Sequence, residues 1–211
     1  SYSRIVRLGE GLLRNECLSA SAMNRTIQAL RICSEKLAKF NVVRSRSIAT
    51  EACRRAKNCH EFFSKIKRDT GLSMEIITSY EEACLALRGC QNLLNSNQPY
   101  ALVFDIGGGS TEIIWAKRKA QTFEIIDVLS IPLGVVTLAE EWMPSDINSQ
   151  IFEKMTNYVS EKLPVFCDKN QISQCIKNNK VQMLGTSGTV TTLGAIHLDL
   201  NYYDIIYLDY F

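Results

Sequence analysis

Residues 105–112 read Asp-Ile-Gly-Gly-Gly-Ser-Thr-Glu, between two apolar runs, Tyr100 to Asp105 and Thr111 to Ala116. An apolar run that meets three residues without side chains and then resumes predicts a strand, a tight turn and a returning strand. A further strand-like run, Phe123 to Ile131, extends the hairpin into a meander. With no Cβ atoms in the way, successive backbone N–H groups at Gly107, Gly108, Gly109 and Ser110 can turn inward together and form a concavity for an anion. Each amide given to a charged oxygen contributes about 1.5–3 kcal/mol. A plain hairpin with Asp105 as a turn residue is the simpler alternative. A Walker A loop would need Gly-x-x-x-x-Gly-Lys-Ser/Thr, and a dinucleotide fingerprint would need a helix directly after the glycines, so neither pattern fits.

The rest of the chain alternates strand and helix signals. Ile5 to Leu8 reads as the end of a strand closed by Gly9 and Gly11, as though the chain begins in mid-fold. From Ser19 the apolar positions Met23, Ile27, Leu30, Leu37 and Phe40 recur at helical spacing up to Asn41. Ser47 to Thr50 and Met74 to Thr78 read as short strands. Asn58 with Glu61, and Ser79 with Glu82, have capping-box spacing and open helices, the first stopped by Gly71 and the second running to about Leu94. Asn95 to Pro99 is the clearest linker. Ile147 to Phe166 reads as a helix interrupted near Pro164, Val181 to Leu184 as a strand, and Val190 to His197 as a helix. These signals predict an α/β protein of two lobes around a cleft, 1–94 and 95–211, the first lobe incomplete.

At 211 residues, with 46% hydrophobic and 22% charged side chains, the chain has the balance of a globular protein. No apolar run reaches the ~18 residues of a membrane span, and Arg4 and Arg7 stand where a signal peptide is apolar, so a cytosolic protein is expected. The eight cysteines include no C-x-x-C pair and are expected to be reduced and largely buried. Charge is lopsided: 16 basic against 9 acidic residues up to Gln98 (+7), and 8 against 13 beyond it (−5). Such asymmetry suits a polyanion drawn into a cleft, although solvated helix faces are the better account of most of the individual residues. Nucleic acid is not expected, because no basic run is interleaved with aromatics.

Several polar residues stand where loops of α/β folds reach a site, each with a plainer alternative. Glu112, at the root of the returning strand, either turns back toward a phosphate or a hard cation such as Mg²⁺, or faces solvent. Glu82 is either a cleft carboxylate or the capping partner of Ser79, and Glu81 a first-turn charge. Arg54 and Arg55 are either phosphate-gripping or surface cations. Gly185-Thr186-Ser187-Gly188-Thr189, between strand and helix, offers amides to an anion or merely caps the helix. His60 and His197 are read as structural or surface groups.

Five of these segments, in order and spacing, resemble the exopolyphosphatase/guanosine pentaphosphate phosphohydrolase family: Ile5-Val6-Arg7-Leu8-Gly9-Glu10-Gly11-Leu12, Ala49-Thr50-Glu51-Ala52-Cys53-Arg54, Glu81-Glu82-Ala83, Asp105 to Glu112, and Gly185 to Thr189. The resemblance implies an actin-like, sugar-kinase-like ATPase fold with ribonuclease H-like lobes. It implies water attacking a terminal phosphoryl group of inorganic polyphosphate or guanosine pentaphosphate. Glu82 is then similar to the water-activating carboxylate and Glu112 to the second essential carboxylate, also near the metal. Asp105 is placed on the Mg²⁺ side, Gly107 to Ser110 form a phosphate loop, Arg54 and Thr186, Ser187 and Gly188 contact phosphate, and copies commonly pair.

The family's opening Asp-x-Gly-Ser/Thr-Asn-Ser loop does not precede Ser1, and Tyr80 stands where the family usually has glycine. A fragment with weak or lost hydrolysis is therefore expected. A silent module binding polyphosphate or guanosine tetraphosphate, and an actin-like or chaperone-type ATPase, are the competing readings.

Overall fold

The computed structural model describes residues 2–95, 97–142 and 148–200. It divides into two compact units, one ending at Thr78 and the other starting at Ser79.

The first unit packs helices around a minimal sheet. A short helix α1 (Leu12–Asn15) precedes α2 (Ala20–Lys39), whose N-cap Ser19 accepts the Ala22 N–H. Strand β1 (Ser47–Ala49) leads into α3 (Glu51–Arg55), α4 (Cys59–Thr70) and β2 (Met74–Ile76), and the two strands pair in parallel. Gly71 stops α4 in the left-handed conformation, φ 73°, where a Cβ would be strained. α2 packs against α4 over Met23, Ile27, Phe62 and Ile66, with Cys53 and Cys59 in the same core. Each such large apolar side chain contributes roughly 1.5–3 kcal/mol through burial.

Two local readings do not hold in this unit. Residues 5–8 form no strand; a strand exists through its partners, and here the carbonyl of Val6 is taken by the Arg25 guanidinium at 3.1 Å. Asn58 does not cap α4 with its side chain. Its amide is spent on Leu18, accepting that N–H at 2.8 Å and donating to that carbonyl at 2.9 Å.

The second unit is built on one four-stranded sheet. Helix α5 (Ser79–Cys90) and a tight turn (Gln91–Leu93) come first, followed by β3 (Tyr100–Ile106), β4 (Thr111–Lys119) and β5 (Thr122–Ile131). After α6 (Val135–Trp142), α7 (Ser149–Ser160), α8 (Pro164–Lys169) and α9 (Ile172–Lys177) come β6 (Val181–Thr186) and α10 (Ser187–His197). The strand order is β5-β4-β3-β6, antiparallel except for the β3/β6 pair. α5 packs on β3, β4 and β5 through Ala83, Leu87 and Cys90 against Ala101, Val103, Ile114 and Ala116. Phe166 and Ile172 join Trp115 on the opposite face.

The boundary expected after residue 94 therefore falls after Thr78, because α5 lends its apolar side to this sheet. The interruption expected near Pro164 separates two helices: α7 ends at Ser160 and Pro164 starts α8 in its first turn, where its missing N–H costs nothing. Ile147, Ser96 and 201–211 lie outside the described residues.

Candidate active site

One rung of the sheet collects the acidic residues singled out above. Asp105 on β3 is paired with Glu112 on β4 and with Thr186 on β6, and Glu112 is paired in turn with Ser130 on β5. Directly opposed residues share a face. Thr186, Asp105, Glu112 and Ser130 thus line up on the face that covers α5, where the apolar rungs of Val103 and Ile114 give way to polar ones.

Glu112 is 1% exposed. Its carboxylate accepts the Ser130 hydroxyl at 3.0 Å and the Ser110 hydroxyl at 3.3 Å. Burial, and then the neighbouring charge of Glu82, push its pKa up to about 7 against the pull of the two hydroxyls; Asp105 adds a smaller push. Glu82 is half-buried in the first turn of α5. Burial also raises Asp105, offset in part by the hydroxyls of Ser187 and Thr186. Thr186 Oγ1 is buried and has no hydrogen-bond partner within 3.5 Å among the described residues.

The glycine hairpin joins β3 to β4 at this rung. Gly107 N–H donates to the Ser110 carbonyl at 3.0 Å and closes the turn. Among the described residues, no backbone acceptor takes the N–H of Gly108, Gly109 or Ser110. Of the second glycine segment, Ser187 (φ 78°) donates its hydroxyl to the Ile106 carbonyl at 3.0 Å, and Thr189 does the same at 2.9 Å. These two hydroxyls secure the end of β3. Nothing lies within 4 Å of a Cβ at Gly188.

Arg54 belongs to the first unit. Its guanidinium donates to the Ile77 carbonyl at 2.9 Å and pairs with Glu51 at 3.1 Å. Sequence reasoning passed over Ser130, Gly134 and Thr137. A lone glycine between β5 and α6 was the available signal for Gly134.

A family model for the Ppx/GppA phosphatase family matches residues 1–201. The chain belongs to the Ppx/GppA phosphatase family. Exopolyphosphatase 2 of Mycobacterium tuberculosis is 31% identical over 212 residues, which cover 96% of this chain and 62% of that protein. The crystal structure of the Aquifex aeolicus Ppx/GppA family member matches with TM-score 0.67 and 30% identity, over 95% of this chain and 61% of the other. An exopolyphosphatase from Cytophaga hutchinsonii matches with TM-score 0.76 and 26% identity, over 92% and 61%. The chain therefore spans about three fifths of the length of these relatives. Its fold is that of the solved Ppx/GppA proteins, and it is of the α/β class expected from the sequence.

Among the described residues, no helix is long and apolar enough to cross a membrane. Nor do three or more His, Cys, Asp or Glu side chains gather there as a metal site.

Proposed function

We propose that this Ppx/GppA chain carries the phosphate-binding hairpin and acidic residues of a hydrolase that releases terminal phosphate from inorganic polyphosphate or guanosine pentaphosphate. The observation that carries the reading is a buried Glu112 on the same rung as Asp105, at the root of a hairpin whose Gly108, Gly109 and Ser110 N–H groups have no backbone acceptor among the described residues. Exopolyphosphatase relatives support the substrate class.

In this reading the hairpin amides grip the terminal phosphoryl oxygens and stabilise charge that grows as the anhydride bond opens. Glu82 accepts a proton from the attacking water, and its oxygen meets phosphorus in line with the departing phosphate. In the ion-free site Glu112 is partly protonated near neutral pH, which limits the negative charge around the incoming anion. A Mg²⁺ ion would be held by one or two carboxylates together with the phosphate oxygens of the substrate. Asp105 and Glu112 fit that donor set, since both carry raised pKa values that a nearby cation would relieve. The ion would supply charge neutralisation on the phosphates. Thr186, Ser187 and Gly188, at the start of α10, are proposed as further phosphate contacts, and a cytoplasmic location and pairing of two copies follow the family.

Phosphate release from polyphosphate and from guanosine pentaphosphate, with and without Mg²⁺, tests the proposal, with Glu82→Gln as the control. Release from either substrate that falls with the variant supports it. Binding of both without turnover would turn the chain into a sensing module, and release from nucleoside triphosphate alone would favour the ATPase alternative.

A further inference from the structure

The glycine hairpin is held from behind by the start of α6, through backbone hydrogen bonds. Val135 N–H donates to the Gly107 carbonyl at 3.0 Å; Val136 N–H and Thr137 N–H donate to the Gly108 carbonyl at 2.9 and 3.3 Å. These are helix-terminal donors that no turn of α6 can use, and the hairpin supplies their acceptors.

A trans peptide is planar, with C=O and N–H on opposite edges. The Gly107 carbonyl shares its plane with the Gly108 N–H, and the Gly108 carbonyl with the Gly109 N–H. Tying both carbonyls to α6 therefore turns both N–H groups away from it, and no backbone acceptor among the described residues receives them.

Gly134 permits the approach. A Cβ there would stand 2.4 Å from the Gly107 oxygen, 2.4 Å from the Gly108 carbonyl carbon and 2.5 Å from the Gly109 nitrogen. Thr137, 6% exposed, fixes the start of the helix: its hydroxyl accepts the Gly134 N–H at 2.8 Å and donates to the Gly134 carbonyl at 3.0 Å.

We infer that Gly134, Val135, Val136 and Thr137 are positioning residues, which aim the Gly108 and Gly109 amides and so set the affinity of the hairpin for an oxyanion. The inference rests on the phosphate reading of that hairpin and adds what gives it its direction.

The test uses the ¹⁵N-labelled chain, with inorganic tripolyphosphate as the probe. Val135→Pro deletes one donor at the first helical position, where proline is tolerated. Thr137→Val deletes the hydroxyl and Thr137→Ser keeps it. Val135→Pro and Thr137→Val are expected to bind tripolyphosphate about tenfold or more weakly, the loss of roughly one well-aimed amide. Residual dipolar couplings, measured without ligand, should show the Gly108 and Gly109 N–H vectors rotated against unchanged β3 and β4 amides. Thr137→Ser should match wild type in both measurements. Unrotated vectors in Val135→Pro and Thr137→Val overturn the inference, whatever the binding. If the wild-type chain ignores tripolyphosphate, the phosphate reading fails and the couplings still decide the positioning.

Discussion

Ser130 and Glu112 face each other across β5 and β4, and the serine hydroxyl donates to the buried carboxylate at 3.0 Å. A donor to the charged form lowers an acid's pKa. Ser130→Ala should therefore move Glu112 above its present value of about 7. Carbon-detected NMR titration of the Glu112 carboxyl would read the change. At pH 8, where the carboxylate is charged, the lost bond should cost about 1.5–3 kcal/mol in denaturant unfolding. A titration that stays in place would mean the hydroxyl does not act on the charge.

The raised pKa of Glu112 also sets a stability slope. Its folded value, about 7, lies above the ordinary 4.5, so between them the native state holds more protons than the unfolded chain. Stability should then be highest below pH 4.5, fall as pH rises through 7 and level off beyond, by about 3 kcal/mol from this group. Glu112→Gln should flatten much of that slope and raise the melting temperature at pH 8 but not at pH 4.5. Calorimetry at the two pH values is the check.

Glu82→Gln separates two effects of one charge. Phosphate release should drop by about 10²–10⁴-fold if Glu82 serves as base. Independently of turnover, Glu112 should titrate lower, since the Glu82 charge is the second largest cause of its elevation after burial. An unmoved Glu112 titration would argue against the proximity of the two carboxylates.

Gly185→Ala tests packing at the rung next to Thr186. The added Cβ would lie 2.7 Å from the Phe104 ring and 2.7 Å from a Val190 methyl. Overpacking of this kind costs about 1–3 kcal/mol. The urea midpoint should fall with an unchanged denaturant slope.

In the first unit, Arg54→Ala should strand the buried end of Glu51 and the Ile77 carbonyl. The expected loss is about 1–3 kcal/mol, and lysine should not restore it, lacking the planar fork. Urea unfolding of the two variants would show both.

What was legible in the sequence was what neighbours in the chain decide. Three glycines between apolar runs specify their own hairpin, and Gly71 its own helix stop. Ser130 was not legible because it meets Glu112 through strand register, 18 residues away. Gly134 and Thr137 act on backbone atoms, which no residue pattern records. Asn58 had the right spacing to cap α4, but Leu18, 40 residues away, offered its amide two hydrogen bonds. Residues 5–8 had strand chemistry without a strand beside them among the described residues.

The pairing of Asp105 with Glu112 depends on an even count. Side chains alternate between the two faces of a strand, so one residue inserted in β4 between Glu112 and Trp115, with the apolar half of the strand kept in place, would send Glu112 to the face of Trp115 and Phe166 and leave Asp105 alone with Thr186. Mutational drift can swap the apolar residues of this hairpin for others of similar bulk. It cannot change their number there by one without dissolving the acidic pair, unless the extra residue is taken up in a bulge, as one is opposite Trp115 and Ala116.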